Sequence, residues 1–116
     1  MPKRKLDPLP SAAFQILLAL AGEDLHGYGI MRQVSHQTQG RIRLGPGTLY
    51  SSIQSLAQAK LIQEVDTRQD DKLGPERRRY YRLTAAGRKV ACSEAKRLAA
   101  TLQFARARRI LRGDYV

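Results

Sequence analysis

LGPGTLYSSIQSLAQA, residues 44–59, holds sixteen positions without one charged side chain, in a 116-residue protein that is 27% charged and carries a net charge of +11. Gly45, Pro46 and Gly47 punctuate its start, and Pro46 suits the first turn of a helix, where its missing N–H would have had no partner. On a helical wheel Leu49, Ile53, Leu56 and Ala57 share one arc, the face expected to meet a core. Thr48, Ser51, Ser52 and Ser55 fall opposite, with Gln54 and Gln58 toward one edge. The outward face is therefore made of short hydroxyls and amides. Alone, it reads first as a solvated helix surface and only second as a surface that meets base edges, so its neighbours matter.

Upstream, MPKRKLDPLP (residues 1–10) holds three cations and three prolines and is expected to be an extended basic arm. A helix is expected from Ser11, as N-cap, to Ala21, stopping at Gly22. A second begins near Gly27, carries Tyr28, Ile30, Met31 and Val34, and breaks at Gly40. Ile42 and Leu44 alternate with Arg41 and Arg43, a short extended piece at most. Downstream, LIQEV (61–65) and RRRYYRL (77–83) read as two strands joined by the polar loop TRQDDKLGPE, which makes a hairpin longer than a tight turn.

From Thr84, read as an N-cap, the chain is helical to about residue 112, which at 1.5 Å per residue is roughly 43 Å. Ala91, Ala95, Leu98, Leu102 and Ala105 form an a/d seam along it, ending where Arg109 falls next in phase. A small head cannot bury so long a stripe, so a second copy is expected to cover it.

Three helices followed by a hairpin give the order of a winged helix-turn-helix. The fold class expected is mainly α with a small β-hairpin: an arm over 1–10, a DNA-binding domain over 11–83, and a dimerisation helix with its tail over 84–116. In that setting the uncharged third helix reads as the element that meets bases. Cations on phosphates supply most of the affinity for DNA, whereas base identity is read by groups that donate and accept at base edges. Ser51, Gln54 and Ser55 are suited to the second task. Arg41, Arg43, Lys60 and the run Arg77, Arg78, Arg79 are placed for the first.

The composition agrees. Lys and Arg total 21 against 10 acids, with a pI near 10.5, which points to a polyanionic partner. The one cysteine, Cys92, cannot form an intrachain disulfide, which suits a reducing cytoplasm; beside the seam it is expected to be a buried structural thiol. PKRK before AAFQILLALA (12–21) has the local look of a secretion signal, but Pro8, Pro10 and Gln15 interrupt it, and the run falls short of the ~20 residues needed to cross a bilayer. No membrane association is expected. His26 is expected to pack or cap the second helix, since His36 is ten residues away and nothing completes a metal site. Neither a nucleophile–base pair nor a carboxylate pair occurs, and GPGT lacks the Lys-Ser/Thr ending of a phosphate loop. Neither enzyme activity nor a cofactor is expected.

Four linked stretches carry a resemblance: HGYGI (26–30), GTLYSSIQSL (47–56), LI (61–62) and RRYYRLTAAGR (78–88). In this order and at these gaps, over roughly residues 12 to 90, the chain resembles the PadR family of bacterial winged-helix transcriptional regulators. The resemblance implies a homodimeric repressor whose final helix dimerises, often controlling stress, efflux or detoxification genes. It implies that Tyr28, Thr48 and Tyr50 contact the DNA backbone and that the basic wing strand adds phosphate contacts. The bland reading of either tyrosine is a core-capping ring with its hydroxyl in water. Two positions depart from the family: Gly29 stands where Glu is frequent, and Ser51 where Pro often follows the tyrosine. Some relatives bind flat aromatic drugs between tryptophans at the dimer interface. This chain has no tryptophan, so that mode does not carry over and no effector is assigned. The function expected is sequence-specific binding of double-stranded DNA at an inverted-repeat operator; the alternative is a basic protein that coats nucleic acid without sequence preference.

Overall fold

A computed structural model describes residues 9–65 and 79–111. The elements run α1 (Ser11–Gly22), β1 (Leu25–His26), α2 (Gly27–Gln37), α3 (Pro46–Gln58), β2 (Ile62–Val65), β3 (Tyr80–Leu83) and α4 (Ala85–Ala107). The mainly helical fold with a small antiparallel sheet is the one expected from sequence. The first eight residues of the arm, the loop TRQDDKLGPE, and Arg77 and Arg78 lie outside the described residues.

The core forms around α1, whose Ile16 and Leu17 have no exposed surface and which touches α2, α3, α4 and β3. Ile30 and Val34 of α2, Leu49 and Leu56 of α3, and Ile62 of β2 close around it. Each buried aliphatic side chain of this size contributes about 1.5–3 kcal/mol relative to exposure. Leu9 is buried too, so the chain is anchored just before α1 begins.

Several local expectations are corrected. Pro10, not Ser11, occupies the N-cap of α1: its φ of −63° and ψ of 150° fit the extended approach, its carbonyl accepts from Phe14 N–H at 2.9 Å, and no side chain caps the helix. The sheet has three strands in the order β1-β3-β2, because Leu25 and His26 pair with Tyr81 and Tyr80 on the far side of β3. On the other side β2 pairs with β3 from Ile62↔Leu83 to Val65↔Tyr80. Ala57, placed on the core arc, is exposed, since the last turn of α3 runs past the core edge. The final helix ends at Ala107, not near residue 112. Arg109 takes a φ of 63° and Ile110 N–H turns back to Ala105 C=O at 2.8 Å, which closes the helix at 23 residues, roughly 35 Å at 1.5 Å per residue.

Thr84 is the N-cap, accepting from Gly87 N–H at 3.0 Å, and its hydroxyl donates toward the carbonyls of Lys60 and Leu61 at 2.8 and 3.0 Å. This hydroxyl ties the start of α4 to the end of α3. Only Gly87 of α4 is fully buried; Val90, Ala91 and Glu94 are half-buried, and beyond them most of the helix is open. For that reason Cys92 is exposed within the single chain, a correction to the buried thiol expected. Among the described residues no helix is long and apolar enough to cross a membrane.

Candidate nucleic-acid interface

The interface is built where α2 and α3 begin. Gly45 and Pro46 launch α3 without a side-chain cap, and Leu49 N–H bonds back to Gly45 C=O at 2.9 Å. The N-cap of α2 is His26, whose Nδ1 accepts from Gly29 N–H at 3.0 Å, the capping role expected of it. Its ring also stacks on Tyr28 at 6.3 Å between centroids and meets Tyr80 edge-on at 5.2 Å, which ties α2 to the wing. Neither helix has an acid in its first turn, so their partial positive ends are uncompensated there, an arrangement favourable to an anion.

Tyr28 and Tyr50 stand 60% and 52% exposed, far more open than core-capping tyrosines. They share one locality, because the Tyr50 hydroxyl lies over Gly27, the residue before Tyr28. Thr48, Ser51 and Gln54 are exposed on α3, whereas Ser52 and Ser55 are half-buried. The uncharged outward face is thus open at Thr48, Ser51 and Gln54 and shallower at Ser52 and Ser55.

Cations frame this face. Arg41 and Arg43 precede α3, with Arg43 Nε donating to Gly40 C=O at 3.1 Å, and Lys60 follows it; all three are exposed. On the wing, Arg79 lies 3.7 Å from Glu64 with both side chains more than half exposed, a contact loose enough for Arg79 to exchange partners. Tyr81, beneath them, is almost wholly buried. Loss of hydration pushes its hydroxyl above its ordinary pKa, Glu64 adds to that, and the guanidinium of Arg79 opposes it. Arg82 points elsewhere and grips both carboxylate oxygens of Asp24, with Nη2 at 2.8 Å, fastening β3 to the turn after α1.

Arg32 was missed by sequence reasoning. Its guanidinium carbon sits 5.7 Å from the centroid of the Tyr28 ring, so a cation is held beside the exposed phenol. The available signal was the i, i+4 spacing from Tyr28, which puts both on one face of α2.

The seam residues of α4 are open: Leu98 is 41% and Leu102 38% exposed, Ala95 is exposed, and Ala91 and Ala105 are half-buried. Leu18, on the α1 helix that packs against α4, is 40% exposed as well.

Comparison with known proteins agrees with this geometry. A match to the family described as transcriptional regulator PadR-like covers residues 16–92. The chain is 35% identical over 88 residues to an uncharacterized 37.1 kDa protein in transposon TN4556 of Streptomyces fradiae, a match taking in 76% of this chain and 23% of that protein. It therefore spans less than a quarter of that relative's length. Among solved structures, a transcriptional regulator from Clostridium thermocellum is 25% identical with a TM-score of 0.66, over 79% of this chain and 86% of its own. A PadR family transcription regulator from Clostridium difficile has the same fold, with a TM-score of 0.72 and 22% identity over 84% of this chain and 97% of its own.

Proposed function

The chain belongs to the PadR-like family of transcriptional regulators, a DNA-binding and not an enzymatic family, and from that premise we propose that it is a homodimeric repressor acting in the cytoplasm on an inverted-repeat operator. In this reading α3 enters the major groove and Ser51, Gln54 and Ser55 meet base edges. Tyr28, Thr48 and Tyr50 hold the backbone, with Arg32 beside Tyr28, and the wing run Arg77, Arg78 and Arg79 lies along phosphates. Residues 1–10 add a basic arm, 11–83 form the DNA-binding domain, and 84–116 carry dimerisation. The observation that carries the proposal is the uncharged, exposed face of α3 bordered by Arg41, Arg43 and Lys60.

Two sets of alanine substitutions separate base reading from charge. Alanine at Ser51, Gln54 and Ser55 is expected to cost operator affinity and leave random-duplex affinity nearly intact, each good contact being worth about 1–3 kcal/mol. Arg79→Ala is expected to weaken both together and to reduce the slope of log K against log salt by about 0.9. Titrations of wild type and both sets against operator and scrambled duplex at several salt concentrations make the comparison. Full discrimination by the serine and glutamine set would mean that the face is only a solvated helix surface. No preferred sequence for the wild type would favour the nucleic-acid-coating alternative.

A further inference from the structure

Gly27 opens α2, and nothing in its backbone calls for glycine: unlike Gly40, whose φ is +79°, it does not lie in the left-handed region. On propensity alone alanine would serve better in a helix. What glycine supplies there is space. A Cβ built on Gly27 would overlap the hydroxyl of Tyr50 and stand 3.1 Å from its Cζ, while the next nearest atom, Cδ2 of Leu49, lies at an ordinary 3.5 Å. The obstruction is therefore the far end of one half-exposed phenol and no part of the core.

We infer that Gly27 is a positioning residue for DNA binding: its missing side chain seats the Tyr50 phenol across the first turn of α2, beside Tyr28, and so fixes the spacing of the two exposed phenols. This rests on the reading of Tyr50 as a DNA-backbone contact. Tyr28 follows Gly27 in the chain and is steadied on its other side by the His26 ring and Arg32. Tyr50, from a different helix, has its tip set by Gly27. A Cβ would lift that tip and change the separation without disturbing Leu49 or the buried face of α3.

The test is a two-by-two cycle of Gly27→Ala and Tyr50→Phe, read by affinity for a labelled mixed-sequence duplex and by thermal melting. Removing the hydroxyl leaves the added methyl group facing ring carbon only, so most of the clash is gone in the Phe background. Gly27→Ala is expected to weaken binding about tenfold, or ~1.4 kcal/mol, when Tyr50 is present. In the Phe background it should cost less than about twofold, which makes the two changes strongly non-additive. An equal loss in both backgrounds would overturn the inference. Should Gly27→Ala alone fold poorly, the double variant must recover a cooperative melt; failure of both to fold would also overturn it. Tyr50→Ala, measured alongside, separates the underlying reading: unchanged duplex affinity would remove Tyr50 from the interface and this inference with it, whereas a clear loss leaves the cycle to decide on Gly27 alone.

Discussion

A Cβ placed on Gly87 would overlap the backbone oxygen of Leu61 and stand 2.7 Å from Cδ1 of Leu83. Unlike the phenol over Gly27, a backbone carbonyl cannot swing aside, and this one also accepts from Thr84 N–H at 3.1 Å. Gly87→Ala should therefore lower stability by at least about 2 kcal/mol, as overpacking against fixed atoms does. Gly22, at the end of α1, has nothing within 4 Å of its would-be Cβ, so Gly22→Ala should be neutral or stabilise by up to about 1 kcal/mol. Urea midpoints of the two variants test the contrast, and equal effects would contradict the packing argument. The roles of Gly27 and Gly87 were not legible in the sequence, because the atoms that crowd them belong to Tyr50 and Leu61, distant along the chain. Pro46, Thr84 and His26 were legible, because a helix start is signalled by residues adjacent to it.

Helix ends were legible where a glycine follows, as at Gly22 and Gly40, but not at α4. Gln39, Lys60 and Arg109 take φ values of 53°, 65° and 63° just past α2, α3 and α4. None is itself the glycine that usually marks such a turn, although Gly40 stands next to Gln39, and past α4 no glycine signals the stop; at α3 the turn closes through Leu61 N–H to Leu56 C=O at 3.0 Å, with both leucines buried. Strand β1 was invisible for a different reason: two residues have no period, and its pairing is supplied by β3. The seam of α4 was readable because its spacing repeats over several turns, yet the chain itself covers little of it. In the dimer proposed here Leu98 meets the partner, and Leu98→Glu would bury an unpaired charge there at a cost of several kcal/mol. Light scattering should then report a monomer with the head still folded. A dimer of normal affinity would place the interface elsewhere.

Across the whole molecule, charge and chemistry are divided between different surfaces. The net charge of +11 supplies long-range attraction for a polyanion, while the α3 face that would touch bases carries none of it. That division is legible in the sequence itself, because it depends only on where charged residues are absent. The way α2, α3 and the wing converge was not, since it depends on His26 bridging to Tyr80 and Tyr50 reaching Gly27. If the proposed dimer is two-fold symmetric, its two α3 helices meet two half-sites related by the same axis, with centres about one duplex turn, or a multiple of it, apart. Sequencing the DNA that the purified protein retains from a random duplex pool, at physiological salt, measures this directly. The expected result is one enriched inverted repeat whose half-sites lose their enrichment when Ser51, Gln54 and Ser55 are replaced by alanine; retention of DNA without any enriched sequence would contradict it.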